Sequence, residues 1–389
     1  MKALAREQWL LDPNVTYLNH GSFGACPRPV LDEQQRWRER LERQPVRFMV
    51  DVLEPELDRV RCELAARFGV EPEGVAFVAN ATTGVATVLG SLHLEPGDEI
   101  VVTNHGYAAC SNVVQRAAAA SGARVVVANV PFPLAGPAFV EHALLESVSE
   151  RTRLVIVDHV TSATALVFPV ERIVAELERR GIDTLIDGAH APGMLPLDVS
   201  TLGAAYYVAN FHKWCCAPKG AAMLHVRADR RDGIKPLVAS HGMTSQRRDR
   251  SRYQLEFDWT GTSDPSAFLS VPAALRFLDG LVPGGLPALS ERNRALALAG
   301  RELVGQSLGL KAPCPDEMIG AMATLPLPDA GPGSALALNR ALLDKYAIEC
   351  FTLDWPRPES RVIRLCAQAY NELSEYERLA QAVAELSAA

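Results

Sequence analysis

The chain has 389 residues, of which 48% are hydrophobic and 22% charged, and a formal net charge of −7 at pH 7. This length suits one large and one smaller globular domain, and the negative charge excludes the basic field that nucleic acid or an anionic membrane would require. The apolar runs are too short to span a bilayer, and the first residues lack the apolar core of a signal peptide. Eight cysteines without CxxC spacing indicate reduced thiols in a cytoplasm rather than a disulfide framework.

From about residue 55 the sequence alternates between helical and strand-like segments. A helix is predicted at 54–68, where apolar residues recur at helical spacing and Gly69 ends the run. Short runs rich in Val and Ile predict strands at 75–78, 100–102, 125–127, 154–157, 184–186, 205–208 and 221–226. Helices are predicted between them at 85–92, 110–120, 137–148 and 169–179. This alternation is typical of an α/β fold with a mostly parallel, doubly wound sheet.

The pattern changes after about residue 261. The elements predicted there are helices at 265–277, 290–308, 334–346 and 372–386 and strands at 321–325, 349–353 and 362–366. Mixed elements of this kind predict a smaller α+β domain. The chain is therefore divided into an N-terminal arm at 1–16, a large domain at 17–262 and a small C-terminal domain at 263–389.

Two charged residues follow separate strands of the predicted sheet. Asp187 ends the run at 184–186, and Lys213 follows the run at 205–208. Ligands of open α/β sheets bind at the carboxyl ends of the strands. A lysine there can form a Schiff base, and an aspartate facing a pyridine nitrogen keeps that nitrogen protonated. The pair predicts a site for pyridoxal 5'-phosphate (PLP), although on these two residues alone a helix-capping Asp187 and a surface Lys213 stay open.

Polar side chains follow other predicted strands as well. Thr82 and Thr83 begin a helix after the run at 75–78, where free N–H groups and the helix dipole can hold a phosphate. Threonine is also a common helix cap, so this signal is weak by itself. His105 and Tyr107 follow the next strand and could stack on a flat ring. A further strand end carries Asp158, His159, Ser162 and Thr164. Several polar strand ends together predict one site.

Taken together, these segments resemble the class V aminotransferases, which belong to fold type I of the PLP enzymes. The resemblance spans most of the chain, and its motifs occur in the order of the family. They are YLNHGSFG at 17–24, ATTG at 81–84, HGY at 105–107, DHVTSAT at 158–164, DGAH at 187–190, HK at 212–213, GTSD at 261–264 and RLCAQAYN at 364–371. Within the class the chain is most similar to the isopenicillin N epimerase-like branch. The resemblance implies the PLP-dependent transferase fold, with a seven-stranded, mostly parallel sheet in the large domain.

The resemblance also implies which residues hold the cofactor. Lys213 forms the Schiff base, Asp187 pairs with the pyridine nitrogen, and the phosphate-binding residues are Thr82, Thr83 and His212.

Further positions complete the implied cofactor site. Tyr107 matches the ring-stacking position, with His105 as the alternative, and His190 hydrogen-bonds near the phenolic oxygen. Ser162 is placed among the cofactor-binding residues. The resemblance implies a homodimer, and Thr262 resembles a residue that reaches the partner's phosphate.

The implied substrate is a small molecule, an amino acid. Arg364 matches the arginine that grips the substrate carboxylate, a task suited to the planar guanidinium. Asn19, His20 and Ser22 are expected to border the substrate pocket.

The chain departs from the cysteine desulfurases of the same class. Those enzymes carry a nucleophilic cysteine on a loop before the final arginine, whereas Cys350 lies in a strand-like run here. Cys366, Cys215 and Cys216 are interpreted as packing residues. Desulfurase activity is therefore not expected, and the histidines and acids do not form a compact set of zinc ligands.

The reaction type stays open at this level. Lys213 is expected to remove the Cα proton as general base. Return of a proton to the opposite face gives an epimerase or racemase and needs a second acid, for which His20, Tyr107 and His190 are candidates. Loss of a group from Cβ gives a carbon–sulfur lyase, and protonation on the cofactor gives an aminotransferase. A non-catalytic PLP-fold binding protein is the alternative from another class, which the joint presence of Lys213, Asp187 and Arg364 disfavours.

Overall fold

The structure, a computed structural model, describes residues 1–388. Its strands are β1 (Thr16–Tyr17), β2 (Val75–Val78), β3 (Glu99–Thr103), β4 (Arg124–Ala128), β5 (Thr152–Asp158), β6 (Asp183–Asp187), β7 (Tyr206–Asn210), β8 (Ala222–Val226), β9 (Met322–Leu327), β10 (Ile348–Glu349), β11 (Phe351–Asp354) and β12 (Arg361–Cys366). Each of the seven strands predicted for the large domain is present, within one or two residues of its predicted bounds.

The helices alternate with these strands. They are α1 (His20–Phe23), α2 (Arg28–Arg43), α3 (Pro45–Arg47), α4 (Leu53–Phe68), α5 (Ala81–Ser91), α6 (Ala108–Ser121), α7 (Ala138–Glu146), α8 (Val170–Arg179), α9 (Val199–Leu202), α10 (Arg252–Phe257), α11 (Ser266–Leu269), α12 (Val271–Asp279), α13 (Gly285–Ser307), α14 (Ser334–Tyr346) and α15 (Leu373–Ala388). Among residues 1–388, no helix combines the length and the apolar character needed to cross a membrane.

The large sheet confirms the predicted fold. Within the described residues it has seven strands in the order β2-β8-β7-β6-β5-β3-β4. The strands from β7 to β4 run parallel to one another, whereas β8 is antiparallel to both of its neighbours. Residues on β6, β7 and β8 are buried almost throughout because helices cover both faces. The parallel strands therefore present their carboxyl ends along one edge.

The second half of the chain forms a smaller sheet. Strands β11, β12 and β9 are antiparallel in that order and pack with α13, α14 and α15. The apolar residues of α11 and α12 lie in the same core as the large sheet, and the core of the small sheet begins within α13 at Leu296. We retain the division into arm, large domain and small domain as a proposal, and this packing favours a boundary within α13 rather than at residue 262.

Two predicted elements are divided in the structure. The helix predicted at 265–277 is two helices, α11 and α12, and Pro272 lies in the first turn of the second. A proline there has no N–H to continue the hydrogen bonding of the preceding helix. The strand predicted at 349–353 is also divided, because β10 pairs with β1 whereas β11 pairs with β12.

Candidate active site

A cavity of about 560 Å³ and a second of about 620 Å³ adjoin each other at the carboxyl ends of the parallel strands. We call the larger one the site cavity. Nine of the residues predicted from the sequence line it: Ser22, Thr82, Thr83, Tyr107, Ser162, Asp187, His190, His212 and Lys213. The strand ends meet there because β5, β6 and β7 are adjacent and parallel.

Two buried carboxylates face the site cavity side by side. Asp158 and Asp187 are register partners at the ends of β5 and β6. Asp187 accepts hydrogen bonds from the Ala189 amide at 3.0 Å and from the Cys110 thiol at 3.3 Å. Burial raises the pKa of Asp187. Burial and then the charge of Asp187 raise the pKa of Asp158 well above its usual value. In the described part of the chain these carboxylates lack a cation in ion-pair contact, and a positive group in the cavity would stabilise them.

The amine of Lys213 lies in the same cavity. Lys213 Nζ is 3.1 Å from His190 Nε2, and the indole N–H of Trp214 donates to His190 Nδ1 at 3.2 Å. Burial and then the positive charge of Arg364 lower the pKa of Lys213 to about 8. Burial and then the charge of Lys213 lower the pKa of His190 well below its usual value. The lowered pKa makes the neutral amine, with the lone pair that a nucleophile or a base requires, far more accessible near neutral pH than for an ordinary lysine.

The amino end of α5 forms another wall of the cavity. The Ala81 amide donates to Asn210 Oδ1 at 2.9 Å, and the Thr83 amide donates to Asn80 Oδ1 at 2.9 Å. These caps fix the helix end while the side chains of Thr82 and Thr83 line the cavity. The positive end of the helix dipole and the nearby ammonium of Lys219 suit a phosphate group.

Arg364 lies directly behind two cavity residues. Its guanidinium donates to the Ser162 carbonyl at 2.6 Å, to Ser22 Oγ at 3.0 Å and to Asn19 Oδ1 at 3.3 Å. It also stacks over the ring of Phe351, with 4.2 Å between Cζ and the ring centroid. The guanidinium is almost fully buried, and Nε has no partner among residues 1–388. A carboxylate that enters past Ser22 and Ser162 would meet this buried charge.

The structure places five predicted residues outside the lining of the site cavity. They are Asn19, His20, His105, Thr262 and Arg364. The His20 ring is buried against Tyr370 Oη at 2.7 Å and the Lys213 carbonyl at 3.0 Å. The His105 ring is buried and hydrogen-bonded to Thr164 at 2.7 Å, so of these two residues Tyr107 is the one that lines the cavity. Thr262 is exposed, and its assignment to a partner's phosphate stays a prediction.

Several residues of the site were not predicted from the sequence. Asn80 and Asn210 cap α5, Cys110 bonds to Asp187, and Trp214 bonds to His190. Asn210 stands at the end of a predicted strand, three residues before the lysine, and that position was an available signal. For Cys110 and Trp214 the sequence offered no such signal, because their hydrogen-bond partners, Asp187 and His190, are distant in sequence.

The residues present fit PLP. A protonated pyridine nitrogen would supply the positive charge that Asp187 and Asp158 lack. Thr82, Thr83 and the amino end of α5 would hold the phosphate, and Lys213 would bind the aldehyde carbon as a Schiff base.

Comparison with known proteins identifies the family. The family model for aminotransferase class V matches residues 17–312. The chain belongs to the class V aminotransferases. This membership confirms the predicted family and the prediction of a PLP-dependent enzyme.

Relatives of this class V chain have different activities. Isopenicillin N epimerase from Amycolatopsis lactamdurans is 37% identical over 400 aligned positions, covering 99% of this chain and 98% of that protein. A probable chloroplastic L-cysteine desulfhydrase from Arabidopsis thaliana is 30% identical over 397 positions, covering 96% and 83%.

Solved structures show the same class V fold. A C-DES mutant with glycine covalently linked to its PLP cofactor has a TM-score of 0.82 at 24% identity, covering 98% of this chain and 99% of that one. The cysteine desulfurase CsdA from Escherichia coli has a TM-score of 0.80 at 17% identity, covering 98% and 96%. At these identities the likeness supports the fold alone.

Proposed function

We propose that the chain binds PLP through Lys213 and acts at the Cα of an amino acid as an epimerase or racemase. The observation that carries the proposal is the position of the Lys213 amine, which lies in one cavity with Asp187 and the amino end of α5. The 37% identity to an isopenicillin N epimerase over nearly the whole chain supports the reaction type.

Each residue has a separate role in the proposed reaction. Bound PLP supplies an electron-poor ring that stabilises negative charge at Cα. Lys213 takes the Cα proton through its neutral amine, and burial makes that form more accessible by lowering the pKa to about 8. Asp187 keeps the pyridine nitrogen protonated. Arg364 attracts the substrate carboxylate from behind Ser22 and Ser162.

Epimerisation needs a second group that delivers a proton to the other face of Cα. Of the three candidates, His20 is buried outside the cavity and His190 contacts Lys213 directly. Tyr107 lines the cavity and is 47% exposed, so its hydroxyl can exchange protons with solvent. We therefore assign the second acid to Tyr107.

A carbon–sulfur lyase on a cysteine derivative is the second candidate. Desulfhydrase relatives at 30% identity over 96% of the chain favour it. Elimination from Cβ starts with the same proton removal by Lys213 and does not require a second acid on the other face. Lys213 therefore serves either reaction, and Tyr107 is essential only to the first.

A homodimer is part of the proposal. The smaller adjoining cavity shares Thr83, Lys219 and Gly220 with the site cavity. Its rim includes the exposed side chains of Leu237 and Val238, and apolar surface of this kind suits contact with a second copy. Thr262 lies in the loop along this rim.

We also propose a cytoplasmic location, since none of the eight cysteines forms a disulfide within the described chain.

Proton NMR in deuterated water tests the proposal. The PLP-loaded protein is incubated with a panel of L- and D-amino acids, without a keto-acid acceptor. Exchange of the Cα proton with appearance of the opposite configuration supports the epimerase. Pyruvate and ammonia from cysteine derivatives would establish the lyase instead. A Tyr107→Phe variant separates the two reactions, because it should lose inversion while retaining exchange at Cα.

A further inference from the structure

Trp214, His190 and Lys213 form a chain of two hydrogen bonds that ends at the reactive amine. Trp214 Nε1 is 3.2 Å from His190 Nδ1, and His190 Nε2 is 3.1 Å from Lys213 Nζ. The indole and imidazole rings are both almost fully buried. Trp214 also packs against the His20 ring, with 5.0 Å between the ring centroids. The indole is thus held in place, and solvent does not compete for the His190 ring.

The direction of the first hydrogen bond decides the second. An indole N–H can only donate, so His190 Nδ1 must offer its lone pair. A neutral imidazole then carries its proton on Nε2. That N–H points at Lys213 Nζ, which can accept only as a neutral amine, because an ammonium has donors and no lone pair.

We propose that Trp214 is a positioning residue that fixes the His190 tautomer, so that His190 Nε2 donates to Lys213 and favours its neutral amine over its ammonium. The inference rests on the proposed role of Lys213 in binding PLP. The neutral amine is the form that can attack the aldehyde carbon, and the new carbon–nitrogen double bond forms with loss of one water molecule. Trp214 would therefore set the pH at which the PLP-free protein captures its cofactor.

The charged surroundings agree with this assignment. Burial lowers the pKa of Lys213 to about 8, and the charge of Arg364 acts in the same direction. Other titratable groups face the amine and act in the opposite direction: Asp187, Cys110 and Cys366. Burial also lowers the pKa of His190, with Lys213, Arg364, His20 and His212 adding to the effect. A neutral His190 at pH 7 is the state that the hydrogen-bond chain requires.

The rate of cofactor capture tests the role of Trp214. PLP is added to PLP-free protein across a range of pH, and its covalent capture is followed by absorbance. In wild type the rate should rise through a midpoint near pH 8, the value to which the pKa of Lys213 is lowered. In Trp214→Phe, His190 can place its proton on Nδ1 and accept from the Lys213 ammonium at Nε2. The midpoint should then move upward by about one pH unit.

Trp37→Phe is the matched control. Trp37 is also buried, and its indole N–H has no acceptor among residues 1–388. Trp37→Phe replaces an indole by a phenyl ring, as Trp214→Phe does, but no hydrogen bond is lost. The capture midpoint should therefore stay at the wild-type value. An unchanged midpoint in a folded Trp214→Phe protein would overturn the inference.

A second measurement does not depend on a core variant. Nitrogen-15 NMR of the PLP-free wild-type protein at a pH above 8, with the His190 signals assigned by loss in His190→Gln, reports which ring nitrogen carries the proton. A proton on Nε2 and a bare Nδ1 support the inference, and the reverse arrangement refutes it. Failure of the proposed function is distinguishable, because wild type would then capture no PLP at any pH, as expected for Lys213→Ala.

Discussion

Asp158 and Asp187 end adjacent parallel strands as register partners, so that two buried carboxylates face one cavity. Asp187 has two neutral donors that hold it in place, whereas its neighbour has a pKa raised by burial and by the charge of Asp187. A shared site of this kind favours one charge and one proton. The two acids are therefore expected to respond differently to the same substitution.

Asp187→Asn should weaken PLP binding strongly, because the pyridinium would lose its buried charge partner. The expected loss is roughly 2–5 kcal/mol. Asp158→Asn is the matched control, since an amide replaces a carboxyl whose pKa is raised well above its usual value, and its effect should be several-fold smaller. Equilibrium titration of PLP into each protein measures both effects. Equal losses in the two variants would contradict the assignment of Asp187.

The raised pKa of Asp158 also makes the stability of the PLP-free protein depend on pH. A carboxyl whose pKa is higher in the folded than in the unfolded state binds more protons when folded, so the free energy of unfolding falls as pH rises. The fall begins near the unfolded value of 3.8 and continues up to the raised folded value. Asp158→Asn should remove this contribution, so the free energy of unfolding of the variant, relative to that of wild type, should be higher at pH 7 than at pH 4. Urea unfolding of both PLP-free proteins at the two pH values provides the test. A variant whose stability relative to wild type is lower at pH 7 than at pH 4 would refute the prediction.

Arg364→Lys should impair substrate binding while leaving the cofactor in place. Lysine retains the charge but cannot reproduce the fork that contacts Ser162, Ser22 and Asn19. The expected loss for the substrate carboxylate is about 1.5–3 kcal/mol, which corresponds to roughly 10- to 150-fold in KM. PLP content measured by absorbance serves as the control. Loss of PLP without a change in KM would place Arg364 in the cofactor site instead.

Gly24→Ala should destabilise the protein at the point where the N-terminal segment meets the lysine turn. Gly24 has a φ of +68°, and a Cβ there would lie 2.1 Å from the His212 carbonyl oxygen. The expected cost is about 1–3 kcal/mol. Gly136→Ala is the control, because its Cβ would have no heavy atom within 4 Å in the described structure. Denaturant unfolding compares the two, and equal stabilities would show that the segment adapts.

Much of the fold was predictable because buried parallel strands have a clear sequence pattern. The runs that end at Asp187 and Asn210 are apolar and rich in β-branched or aromatic residues, and they became β6 and β7. The division between α11 and α12 was missed because the apolar periodicity continues across Pro272. The sequence pattern also predicted that Lys213 and Asp187 lie at the same edge of the large sheet.

Contacts between distant parts of the chain were not predictable in the same way. The thiol of Cys110 meets Asp187 only because the first turn of α6 lies close to the carboxyl end of β6 in the folded protein. Arg364 was expected in the pocket, yet its guanidinium lies behind Ser22 and Ser162, since that position depends on how the small domain docks. A sequence pattern specifies which strand end carries a residue and leaves its tertiary partners undetermined.

Covalent binding of PLP by Lys213 is tested most directly by chemical trapping. The PLP-loaded protein is reduced with borohydride, digested and mapped by mass spectrometry. Lys219 lines the same cavity and provides an internal comparison six residues away. We predict a reduced PLP adduct on Lys213 and none on Lys219, with loss of the adduct in Lys213→Ala. An adduct on Lys219, or no adduct in a protein loaded with PLP, would contradict the proposed site.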